Sequence, residues 1–233
     1  MKVGIIGGTV FYKSPLFAKT KPKKINNCYG ETDIFVSKKA IFVPRHRVNH
    51  NIPPHKINYL ANMFALKEAG VKYVIGVCSA GSLQSSLKPG TILIPDDYIN
   101  LWNHSTIFND SVVHITPELN DELRQILLES AKSLNYKVVE KGIYFQSTGP
   151  RLETKAEIKM MSKFADIVGM TMGQEAAVAQ EMGIKYAALC SIDNYANGIK
   201  YKEISSEDIF EFAVKNSETV KEIALHAVET LNK

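Results

Sequence analysis

The sequence predicts an α/β protein with a mixed, largely parallel central sheet flanked by helices, and three observations predict it. Short apolar runs alternate with amphipathic segments along most of the 233 residues, as strands do when helices connect them. Runs such as "YVIGVC" and "YAALCSI" are nearly continuous in apolar residues, which suits strands covered on both faces. Small or polar residues follow these runs directly, at the carboxyl ends where open α/β sheets bind ligands.

The strands are expected at Lys2 to Ile6, Asp33 to Ser37, Ala40 to Pro44, Tyr73 to Cys78, Thr91 to Pro95, Gly142 to Ser147, Ile167 to Met170 and Tyr186 to Ile192. The first helix carries Ile57, Leu60, Ala61 and Phe64 at helical spacing between Pro54 and Gly70, a start and a stop signal. A second runs from Pro117 to Leu134 with a stripe of Leu119, Leu123, Ile126, Leu127 and Leu134. Shorter helices are expected near 153–163 and 173–182, and a last one from Ser205 to about Leu231, where Ser205 and Asp208 resemble a capping box.

Composition narrows the function classes. With 45% hydrophobic and 22% charged residues the chain reads as one globular domain over 1–233. A net charge of +4, drawn partly from "AKTKPKK" at 18–24, reads as a solvated loop; no basic-aromatic interleaving supports nucleic-acid binding. Cys28, Cys78 and Cys190 are odd in number and lack CxxC spacing, so neither a disulfide framework nor a zinc site is expected, and a cytoplasmic location fits. The opening "MKVGIIGGTVF" is too short in its apolar part to span a membrane and reads as a first strand.

Five strand ends carry chemistry. "GGT" at 7–9 lets backbone N–H groups and the Thr9 hydroxyl approach an anion, although it lacks the spacing of a dinucleotide fingerprint and serves equally as a tight turn. "PRH" places Arg45 beside His46, a planar cationic fork next to a titratable donor, which suits phosphate. "CSAGS" at 78–82 reads as a small-residue turn with packing as its plain alternative. "STGPRLETKAE" leads into a helix with Glu153 near its first turn, where an acidic side chain also serves simply to complement the helix end. "CSIDNYANG" ends a buried strand on Asp193 and Asn194.

Taken in order, "GIIGGT", "RH" with "PPHKINYLAN", "CSAGSL", "GPRLETKAEI", "VGMT" and "SIDNYANGI" resemble the trimeric purine nucleoside phosphorylase and methylthioadenosine phosphorylase family over roughly residues 3 to 200. The resemblance implies the phosphorylase fold and cleavage of a purine nucleoside by inorganic phosphate, a co-substrate, with no metal or organic cofactor. It implies that Thr9, Arg45, His46, Cys78, Ser79 and Thr171 hold phosphate and that Met170 packs against the ribose. Ala80, Gly81, Leu152 and Val168 would line the purine slot, Glu153 and Asn194 would read the base edge, and Tyr195 and Ala196 would flank it. His114 falls where a neighbouring subunit reaches over the 5′ side of the ribose, so a homotrimer, alone or paired into a hexamer, is implied.

Within that family the pair Glu153 and Asn194 resembles the 6-oxopurine branch, whose adenine-specific counterparts carry Asp at the second position. Hydrogen-bond inventory agrees. A 6-oxopurine offers N1–H to a carboxylate and O6 to an amide NH₂, whereas adenine would set a bare N1 lone pair against Glu153. "GPRLET" and "NYANGI" look most like the methylthioinosine members. Three positions depart from the family pattern: Val10 and Arg47 stand where glycine is usual, and Leu60 where arginine is. A methylthioadenosine phosphorylase, a nucleoside hydrolase on the same frame and a non-catalytic purine-binding protein are the alternatives.

Overall fold

The computed structural model describes residues 2–8, 16–102, 105–200 and 206–233, with side chains of the last segment from 214 onward. Thr9, Val10 and Ser205, the expected start of the last helix, lie outside the described residues.

Among the described residues ten strands form one sheet. The path runs β2 (Lys23–Asn27), β3 (Gly30–Val36), β4 (Ala40–Pro44), β1 (Val3–Gly7), β5 (Tyr73–Ser82), β9 (Ile167–Gly169), β8 (Ile143–Gln146) and β7 (Asp97–Ile99). β10 (Lys185–Tyr195) lies parallel to β5, and β6 (Ile92–Leu93) runs antiparallel to β10. The pairs β1–β4, β1–β5, β7–β8 and β8–β9 are parallel, while β2–β3, β3–β4 and β5–β9 are antiparallel. The sheet is therefore mixed and mostly parallel, as the sequence predicts.

Helices bury the apolar faces of the strands. On one side Ile6, Val43 and Val74 pack with Met63 and Leu66 of α1 (Tyr59–Glu68) and with Met172, Ala176 and Ala179 of α4 (Met172–Glu181). On the other, Ile5, Phe42, Ile75 and Leu189 pack with Leu123 and Leu127 of α2 (Asp121–Ser133) and with Val220, Ile223 and Ala227 of α5 (Ser206–Leu231). A third cluster gathers Leu83, Phe145 and Val168 with Ile158 and Met161 of α3 (Lys155–Met161). Consecutive residues such as Ile5 and Ile6 serve opposite faces, so both sides of the central strands are dry.

Several boundaries differ from the sequence reading. The chain from Pro54 makes only a 3-10 turn (Pro54–Lys56), Ile57 is extended, and α1 starts after Asn58, whose side chain accepts the Ala61 N–H. α2 likewise starts after Asn120, which accepts the Leu123 N–H, rather than at Pro117. In both cases an asparagine N-cap outweighs the nearby proline. The Lys-rich segment expected as a loop contains the edge strand β2, whose exposed lysines mark a solvated edge. The "CSAGS" turn is not a turn: β5 runs straight through to Ser82 because its small residues pair with β9 and β10.

Candidate active site

One cavity of about 620 Å³ opens where β1, β4, β5, β9 and β10 end, and four of the five chemically loaded strand ends contribute side chains to it. From β1 and β4 come Gly8, Arg45 and His46, and from β5 come Cys78, Ser79, Ala80 and Gly81. Leu152 and Glu153 enter from the segment before α3, and Val168, Met170 and Thr171 from β9 and the start of α4. β10 adds Ser191, Asp193, Asn194 and Ala196. Tyr195 does not line the cavity; Lys200 lies over its ring at 5.5 Å. His114 is exposed and also outside this cavity. His50 also lines it, with its ring 4.7 Å from that of His46.

Arg45 is held from every side. Its Nε and Nη2 bond both oxygens of Glu175 on α4, its Nη1 donates to the Val77 carbonyl at 2.9 Å, and Nη2 also donates to the Ile6 carbonyl at 3.3 Å. Tyr186 donates to Glu175 Oε2 at 2.8 Å. Glu175 was not visible as a site residue, because it sits inside an otherwise ordinary helical stripe. The pair keeps the guanidinium charged and its plane fixed while removing much of its net charge from the cavity.

His46 is neutral. Burial and the nearby Arg45 and His50 push its pKa down to about 4, against the opposing bond to the Ile52 carbonyl at 2.7 Å. That bond needs a proton on Nδ1, so Nε2 carries a lone pair. Cys78 accepts from Arg45 Nη2 at 3.5 Å and from Thr171 Oγ1 at 3.6 Å. Those contacts, after the hydrogen bond with Cys190 opposite it in the β5–β10 register, hold the Cys78 thiol below its ordinary range.

The segment before α3 explains Glu153. Thr154 caps the helix and forms a reciprocal capping box with Glu157, so Glu153 lies one residue outside and does not serve the helix end. It is buried, and its Oε1 has no hydrogen-bond partner among the described residues. Its backbone carbonyl accepts from Asn197 at 3.1 Å, tying the segment to the end of β10. Gly149 sits upstream at φ +63°, where a Cβ would stand 2.6 Å from the Met170 sulfur, so only glycine fits.

β10 does not stop on Asp193. It continues to Tyr195, with a bulge that leaves Asp193 opposite no residue while Asn194 pairs with Gly81. Asn194 donates one N–H to the Tyr195 carbonyl at 2.8 Å, keeping its oxygen and second N–H for a ligand. Asp193 is fully buried, and its Oδ1 accepts from Ser191 at 2.5 Å and Asn216 at 3.5 Å. Asn216, on α5, is another cavity residue that the sequence pattern did not single out.

Small polar residues at the mouths of parallel strands, with a fixed guanidinium and two carboxyl groups in a largely apolar cavity, define a small-molecule site. The comparisons agree with that class. The chain belongs to the Phosphorylase superfamily, whose pattern it matches over residues 2–229.

A probable 6-oxopurine nucleoside phosphorylase of Archaeoglobus fulgidus is 43% identical over 97% of this chain and 96% of its own length. A probable S-methyl-5′-thioinosine phosphorylase of Methanocaldococcus jannaschii is 39% identical over 90% of this chain and 84% of its own. Among solved structures, methylthioadenosine phosphorylase from Schistosoma mansoni in complex with adenine superposes with a TM-score of 0.93 at 26% identity, covering 100% of this chain and 92% of that one. Among the described residues no group of three or more His, Cys, Asp or Glu is placed to hold a metal ion, and no helix is long and apolar enough to cross a membrane.

Proposed function

We infer that this enzyme phosphorolyses 6-oxopurine nucleosides, releasing the base and a ribose 1-phosphate, with S-methyl-5′-thioinosine, inosine and guanosine as the substrate set. The observation that carries the reading is Glu153: a buried carboxyl with an unpartnered oxygen in the same cavity as Asn194. A 6-oxopurine offers N1–H to that oxygen and O6 to the free N–H of Asn194, whereas adenine leaves Glu153 unmatched. The relatives' names point to the same base class.

At the other end Arg45, His46, Cys78, Ser79 and Thr171 cradle phosphate, with Thr9 as the sequence implies. The neutral His46 accepts a P–OH proton at Nε2, which favours hydrogen phosphate and aims an unprotonated oxygen elsewhere. Phosphate beneath C1′ attacks as the C1′–N9 bond breaks, and its charge offsets the cationic sugar of the transition state. Ala80, Gly81, Leu152, Val168 and Ala196 flank the base, and Met170 backs the ribose.

The reaction takes phosphate as co-substrate and no organic cofactor. The domain works in the cytoplasm as a homotrimer in which a neighbour's His114 completes the 5′ side. Exposed Leu101, Val112 and Phe164 supply apolar surface for such contacts. Release of base from inosine, guanosine, methylthioinosine and methylthioadenosine, followed with and without phosphate, tests the reading. Phosphate-dependent release from the first three is expected; phosphate-independent release would make the protein a hydrolase, and preference for methylthioadenosine would overturn the base assignment.

A further inference from the structure

The proposed reaction leaves one buried group of the cavity without a task. Asp193 is 0% exposed, lines the cavity, and has Oδ2 without a hydrogen-bond partner among the described residues. Its neighbours are uncharged: Ser191 on its own strand, Ser79 on β5 and Asn216 on α5. Cys190, also on β10, feels its charge, and the other titratable groups of the cavity are Arg45, His46, His50, Cys78 and Glu153. Burial pushes the Asp193 carboxyl up, with the bonds from Ser191 and Asn216 and the nearby Ser79 hydroxyl opposing that shift only in part.

A purine leaving group poses a proton problem at this end of the cavity. In a nucleoside N7 is a bare acceptor, and the departing base is stable only once a nitrogen of its imidazole ring takes up a proton. Asn194 can hold N7–H through its amide oxygen but has no proton to give. Its neighbour in sequence, set into the same cavity by the β10 bulge, is a carboxyl with one uncommitted oxygen.

We propose that Asp193 is the catalytic acid of this enzyme, donating its proton to N7 of the departing 6-oxopurine. This rests on the phosphorylase reading above. As C1′–N9 breaks, its electron pair passes to the purine and the Oδ2 proton moves to N7, while a phosphate oxygen bonds C1′. The sugar phosphate no longer needs the P–OH proton of hydrogen phosphate, and that proton returns to the Asp193 carboxylate. Ser79 neighbours Asp193 and lines the same cavity. The acid-active form is the protonated one, so turnover of inosine falls as pH rises through the pKa of Asp193.

The test compares inosine with 7-methylinosine, whose N7 is already alkylated and whose base leaves without a proton there. Asp193→Asn should lower kcat on inosine by about 10² to 10⁴-fold, remove the alkaline limb of its pH profile, and leave 7-methylinosine within a few-fold of wild type. Turnover of 7-methylinosine also reports that the variant is folded, and Asp193→Ser is the second variant should the first not fold. Equal inosine rates in variant and wild type, or equal losses on both nucleosides, would overturn the proposal. If the wild type cleaves neither nucleoside with phosphate, the phosphorylase reading itself fails and takes this step with it.

Discussion

Arg45 and Glu175 face each other across the end of β4 and the first turn of α4 as a doubly bonded, buried ion pair. Each is further committed, Arg45 to two strand carbonyls and Glu175 to the Tyr186 hydroxyl, so neither can be removed without stranding the other. Glu175→Ala is therefore expected to destabilise the fold by about 3–5 kcal/mol, the range for a buried charge that loses its partner. Urea unfolding of the two proteins measures it.

The same network is sensitive to Gly76. A Cβ there would stand 1.9 Å from the Tyr186 oxygen. Gly76→Ala must push that ring away and cost about 1–3 kcal/mol for overpacking, plus the lost bond to Glu175. Phosphate affinity, read by calorimetry, is expected to weaken along with stability, because Arg45 loses part of its anchor.

Glu153 gives the opposite signature. Its Oε1 bonds nothing within the described residues, so Glu153→Gln leaves folding stability unchanged or improved. Losing a charged hydrogen bond to N1–H costs about 1.5–3 kcal/mol, or roughly 10 to 150-fold in kcat/KM on inosine. Activity lost without stability lost would separate a base reader from a structural carboxylate.

Protonation of His46 links pH to stability with a definite sign. Its folded pKa, about 4, lies below the ordinary 6.5, so the unfolded chain binds more protons between those values. The contribution is present above pH 6.5 and is lost as pH falls towards 4. His46→Gln should flatten the fall in melting temperature across that window.

Asp193 runs the other way. A carboxyl raised by burial favours the fold while protonated, and this contribution disappears as pH rises through the folded pKa. Asp193→Asn is thus expected to melt higher than wild type at neutral pH, with the difference shrinking below the ordinary aspartate range near 3.8. Melting curves at pH 7 and pH 4 compare the two.

Much of this architecture is legible in the sequence because its strands are buried on both faces and announce themselves as apolar runs. β4 falls at Ala40–Pro44 as the pattern predicts, and β1 and β10 lie within a few residues of it. β2 and β7 escape detection because they are short and carry lysine, asparagine and aspartate, whose strand character comes from pairing rather than side-chain preference. The polar strand ends are visible locally, but Glu175 and Asn216 become site residues only through contacts spanning 130 and 23 positions in sequence. Spacing within one element carries no trace of such partners.

The bulge at Asp193 separates two neighbouring side chains mechanically. Asn194 is held by ladder pairing to Gly81, whereas Asp193 has no ladder partner and is held only by side chains. A substitution at 193 can therefore be absorbed without shifting the register that fixes 194. Two neighbouring letters of one strand are mechanically insulated from each other, so a change at one need not move the other.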